Sequence, residues 1–111
     1  MFRSSLLALA LAAGALAPVA SARPAPAQSI AVDIKGFAFA PTRVEVHVGD
    51  TVEWTNRDFA PHTATSATGV WSTPELKAGA TGRFVAKVPG VYAYICKFHP
   101  QMKAVLVVTA R

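Results

Sequence analysis

From Ile30 onward, apolar and polar side chains alternate in short runs separated by turn-forming residues. Ile30, Val32 and Ile34 line one face of the first run, and Phe37 and Phe39 extend it. In Arg43–Val48 the three valines share a side, and in Thr51–Asn56, beyond the Gly49-Asp50 turn, Val52 and Trp54 point inward. A period of two is that of a strand with one face on a core. A polar stretch from Arg57 to Gly69 breaks the pattern; a short apolar segment at Val70-Trp71 and a connector from Pro74 to Ala80 follow. Thr81–Lys87 and Val91–Ile95, on either side of Pro89-Gly90, predict two further strands, the second running into Cys96. Ala104–Thr109 is continuously apolar, which predicts a strand buried on both faces. No segment sustains the 3.6-residue period of an amphipathic helix. The pattern predicts an all-β chain, an antiparallel sandwich of seven to eight short strands.

The first residues belong to a different grammar. A basic start at Met1-Phe2-Arg3 leads into an apolar run from Leu6 to Ala17 and then to Ala20-Ser21-Ala22. A charged opening, an apolar run of this length and a small-x-small site predict a cleaved secretory signal over residues 1–22. The run is shorter than the ~20 residues that span a bilayer, so a membrane anchor fits less well. Cleavage is expected after Ala22, with Ala27 as second choice. Residues 23–29, rich in Pro and Ala, then read as a disordered lead-in to a single domain at 30–111. The expected destination is the periplasm.

Removing Arg3 with the signal leaves ten Lys and Arg against six Asp and Glu. The basic residues are dispersed and do not interleave with aromatics, which argues against nucleic-acid binding. A modest positive charge suits solubility or docking to acidic partners. Cysteine usage says more. The chain has one cysteine, Cys96, so no internal disulfide can staple a small exported domain. A lone thiol in an oxidising compartment invites an occupant, and a metal would be one.

The residues around that thiol supply the rest. Cys96, His99 and Met102 fall at three-residue intervals in one loop, and Pro61-His62-Thr63 lies in a loop upstream. Separately, each has an ordinary reading: a small buried Cys, a solvent-facing His, a Met that plugs a core. Together they make one thiolate, two imidazoles and one thioether, and the two His and one Cys with a weak axial Met are the donor set of blue-copper electron-transfer sites. The metal site is therefore expected at His62, Cys96, His99 and Met102, with one copper ion per chain. His47 is left out because it falls on the polar side of its strand. Zinc fits less well, since structural zinc rarely accepts Met.

With these residues in place, the chain resembles the cupredoxins, and among them the amicyanin-like branch. The short Cys-x-x-His-x-x-Met spacing, Val48-Gly49-Asp50-Thr51-Val52-Glu53-Trp54, Pro61-His62 and Pro89-Gly90-Val91-Tyr92-Ala93-Tyr94 carry the likeness from about Phe37 to Val108. It implies a Greek-key β-sandwich with copper at one end and an electron carrier rather than a catalyst. It also implies a monomer whose redox donor and acceptor, such as a dehydrogenase and a c-type cytochrome, dock near His99. Four positions depart from the pattern: Thr63 stands where Asn is usual, Phe98 where Pro is usual, Ala104 where Gly is often found, and Ile95 where plastocyanins have Tyr. Phe98 restores a backbone N–H that Pro lacks, which predicts a hydrogen bond from it to the Cys96 sulfur. Two other functions compete. A periplasmic copper carrier or buffer usually has a more open, Met- or His-rich site, and a thiol enzyme using Cys96 would need an orienting group beyond a histidine.

Overall fold

The computed structural model describes residues 26–111 and, before them, Gly14. The expected signal at 1–22 and its Ala22 cleavage point otherwise lie outside the described residues. Eight strands form, with no helix among the described residues. They are β1 (Ser29–Lys35), β2 (Ala38–Ala40), β3 (Arg43–His47), β4 (Thr51–Asn56), β5 (Thr65–Ser66), β6 (Thr81–Val85), β7 (Gly90–Cys96) and β8 (His99–Thr109). Two four-stranded sheets, ordered β2-β1-β4-β6 and β3-β8-β7-β5, face each other. The predicted sandwich is there, but its sheets are mixed: β1 runs parallel to β4, and β3 parallel to β8. Local alternation reports which face a strand buries and carries nothing about the direction of its neighbour.

The core is the sum of the inward positions of that alternation. Val32, Ile34, Phe39, Val52 and Trp54 from one sheet meet Val44, Val46, Tyr94, Leu106 and Val108 from the other, all buried. Each aliphatic side chain of this size contributes about 1.5–3 kcal/mol on burial. Trp54 packs edge-on to Tyr94 with ring centroids 5.7 Å apart and stacks on Trp71, while its indole N–H donates to the Tyr94 hydroxyl at 3.3 Å. Burial pushes the Tyr94 phenol up to about 12. Trp71, expected on a short apolar segment, is buried but belongs to no strand.

Three expectations shift. Ser29, placed in the lead-in, begins β1 opposite Thr51, and the Gln28 amide donates to the Asp50 carboxylate at 2.9 Å. Ala104–Thr109 is not buried on both faces: Ala104, Leu106 and Val108 are inward, whereas Val105 and Val107 are only half-covered. A central position in the sheet satisfies this strand's backbone, and no layer covers its outer face. β5 arose within the polar stretch; two residues are too few to show a period.

Candidate metal centre

Asn56, Arg57 and the loop after them leave the end of β4 at one end of the sandwich, where β7 also ends and β8 begins. Asn56, wholly buried, holds the first loop in shape. Its side-chain amide donates to the carbonyls of Ala60 and Leu76, both at 2.8 Å, and its oxygen accepts the Asp58 amide at 2.9 Å. His62 then pairs with Leu76 as an isolated bridge, with amide–carbonyl bonds in both directions. The imidazole is thereby buried completely, with its backbone satisfied.

The second loop is a hairpin with an irregular end. Ile95 pairs with Lys103, but the next residue, Cys96, pairs with His99, so β8 has three unmatched residues, Pro100, Gln101 and Met102. Pro100 has no N–H to offer a ladder, which suits it to such a bulge. The two-residue turn Lys97-Phe98 brings Cys96 and His99 side by side. The bulge also restores the alternation, so that Met102 falls on the inward face with Ala104 and is buried.

The loops are laced together. The Thr63 amide donates to Cys96 Sγ at 3.4 Å, and the Thr63 hydroxyl accepts the Lys97 amide at 3.0 Å. The expected donor to the sulfur, the Phe98 amide, makes no such bond among the described residues. With Cys96 already paired to His99 across a tight turn, the amide that reaches the sulfur comes from the neighbouring loop instead.

Three of the four expected ligands meet here. One ligand atom each from His62, Cys96 and His99 lies within 4.8 Å of the others. Cys96 Sγ stands 3.6 Å from His62 Nδ1 and 3.7 Å from His99 Nδ1. Metal–ligand bonds of about 2.0–2.3 Å, opened by an angle between tetrahedral and trigonal, put neighbouring donors about 3.6–3.8 Å apart. The spacing is that of a single ion's donor shell. A soft sulfur with two imidazole nitrogens, the first two buried and the last half-exposed, fits one copper ion. His47 is exposed and remote in role, resting near Asp50 at 3.7 Å.

The roles of two residues of the site were not readable from the periodicity. Asp58, in the polar stretch, accepts a hydrogen bond from His62 Nε2 at 2.9 Å. Burial works to raise its carboxyl, but the amides of Phe37 and Gly36 and the His62 ring outweigh this and hold it below the ordinary carboxylate value. Phe37, expected to continue an apolar face, instead sits in the β1–β2 turn with its ring edge-on to both His62 and His99, at 5.1 and 4.9 Å. A carboxylate four residues before a ligand histidine was the available clue for Asp58.

Residues 6–108 match the cupredoxin-like domain family. The chain is a cupredoxin. Among its relatives, this cupredoxin is 39% identical to amicyanin-alpha of Methylorubrum extorquens, across 89% of this chain and 85% of that one. It is 33% identical to the amicyanin of Paracoccus denitrificans, across 96% and 94% of the two. A solved structure of a mutant amicyanin in the Cu(I) form superposes with a TM-score of 0.69 at 31% identity, covering 73% of this chain and 82% of that chain. Those likenesses place the cupredoxin in the amicyanin branch. A copper-containing nitrite reductase from Thermus scotoductus also matches, at a TM-score of 0.67 and 32% identity, over 78% of this chain but 23% of the enzyme. The same fold therefore occurs as one part of a larger catalyst.

Proposed function

We propose that this cupredoxin is a periplasmic electron carrier that cycles one copper ion between Cu(II) and Cu(I) at His62, Cys96, His99 and Met102. The observation that carries the reading is the placement of one thiol sulfur at 3.6 and 3.7 Å from two imidazole nitrogens. Met102, three residues past His99 and buried on the inward face of β8, supports the fourth, weak ligand. The Thr63 amide on the Cys96 sulfur, the Thr63 hydroxyl under the Lys97 amide and the Asp58 carboxylate on the His62 ring hold the protein donors in place, so they need move little between oxidation states.

Electrons would pass by way of His99, the half-exposed member of the set. Phe37, Phe59 and Phe98, on three loops at this end, are all exposed, Phe59 completely. An apolar surface around a buried redox centre suits the small, short-lived interfaces of electron transfer. A redox donor and a redox acceptor, such as a dehydrogenase and a c-type cytochrome, would dock there in turn on the monomer.

Titration of the protein with Cu(II) should give one equivalent bound and an intense thiolate-to-copper band near 600 nm, which a colourless, labile carrier or buffer site would not. Cys96→Ser should abolish the band, because an alcohol at this position stays protonated and donates weakly. A Cys96→Ser protein that remains blue overturns the assignment.

A further inference from the structure

The β1–β2 connection has an unusual composition. Lys35 pairs with Ala38, so Gly36 and Phe37 alone make the turn, with φ of 61° and 55°. A two-residue hairpin turn with both central residues left-handed favours Asn-Gly or Gly-Gly. A phenylalanine in that region is strained and persists only where its surroundings over-determine it. Asp58 supplies the determination. Its Oδ1 accepts the Gly36 amide at 2.8 Å and its Oδ2 the Phe37 amide at 2.9 Å. Successive left-handed N–H groups form a concave anion seat, and this carboxylate occupies it.

The same Oδ2 lies 2.9 Å from His62 Nε2. An ionised carboxylate can only accept, so Nε2 carries the proton and Nδ1, the nitrogen facing Cys96, keeps its lone pair. The turn that Asp58 holds is also what sets the Phe37 ring against the edges of His62 and His99.

We propose that Asp58 is the positioning residue of the metal centre: it fixes the His62 tautomer and orientation and, through the Gly36-Phe37 turn, clamps the Phe37 ring over both imidazoles. A carboxylate behind a ligating histidine raises the basicity of the ligand. It also brings a negative charge near the ion, and both effects favour Cu(II) over Cu(I). Asp58 thus lowers the reduction potential without touching the metal. The inference rests on the copper reading above.

Asp58→Asn separates positioning from bulk. Asparagine has one acceptor oxygen where three N–H donors converge, and it has no charge. The copper-loaded variant is expected to stay blue but to lose about 10–100-fold in Cu(II) affinity, with Cu(I) affinity little changed. Each tenfold loss raises the potential by about 59 mV in a one-electron couple, and voltammetry reads it. Asp58→Glu, which restores a carboxylate, should recover part of the shift. A blue Asp58→Asn protein with unchanged potential overturns the proposal. Should Asp58→Asn fail to fold, 15N NMR of the wild-type copper-free protein decides: a protonated, slowly exchanging His62 Nε2 with an unprotonated Nδ1 is expected, and the proton on Nδ1 instead overturns the role. A wild-type chain without a blue band sinks the copper reading, and the tautomer of His62 in the copper-free protein then still tests Asp58.

Discussion

Met102 stands apart from the other expected ligands because its sulfur can be read equally as core. It is buried among Ala104, Leu106 and Val108 on the inward face of β8. The two readings give different outcomes for Met102→Leu, which keeps the volume and removes the sulfur. A core methionine exchanged for leucine usually costs less than about 1.5 kcal/mol and nothing else changes. A weak axial ligand exchanged for leucine leaves the blue band in place and raises the reduction potential, since Cu(II) loses more than Cu(I) does. We expect the second result by voltammetry; an unchanged potential would assign Met102 to the core. Thr63 shows how a departure from the family pattern can be accommodated. Its backbone amide donates to the Cys96 sulfur and its hydroxyl accepts the Lys97 amide, so the two loops are tied with threonine at this position. A threonine after His62 can be expected to hydrogen-bond across to the Cys96 loop, but nothing local in the chain names the partners, which are 33 and 34 residues away.

β1, β3 and β4 were legible from alternation, and their inward faces are part of the observed core; β8 was read from an apolar run at Ala104–Thr109, and its start at His99, inside the expected loop, was not seen. β5 was not legible, being two residues long and held by its pairing with Tyr94 and Ile95 on β7. β6 offers a test of how closely the layers meet. Gly82 lies opposite Trp54 on β4, and a Cβ built there would sit 2.9 Å from Thr73 Cγ2 and 3.1 Å from both Leu76 Cδ2 and Thr73 Cβ. Leu76 bridges to His62, and Thr73 receives the Ala64 amide at 3.0 Å, so neither is free to retreat. Gly82→Ala should therefore destabilise by about 1–3 kcal/mol, in the range of core overpacking, despite the ordinary advantage of alanine in a strand. Chemical denaturation would show it, and a neutral or stabilised variant would mean that the Thr73–Leu76 segment yields.

The domain is closed at its other end by Asp50, and this gives the fold a dependence on acid. Backbone amides of Gln28 and His47 donate to the buried carboxylate, which also pairs with Arg111. Those two amides, ahead of the opposing effect of burial and with help from the Arg111 charge, lower its pKa from 3.8. A depressed carboxyl contributes stability that is fully present above the unfolded value and is lost as pH falls through the lower folded value. Thermal stability should thus hold down to about pH 4 on this account and decline below it, and Asp50→Asn should be less stable at neutral pH with a shallower acid decline. Equal acid sensitivity in the two proteins would remove Asp50 from the explanation. What the chain states locally is what local physics can carry: the period of two sets most of the strands, and a thiol and an imidazole three residues apart at Cys96 and His99 point to a metal. The mixed direction of the sheets, the tie from Thr63 to the sulfur, and the seat that joins Asp58, Phe37 and His62 were decided only in three dimensions. Apart from the Asp58–His62 pair, four residues apart, they depend on contacts between segments twenty or more residues apart, and no pattern within a single run encodes which distant loop will close over it.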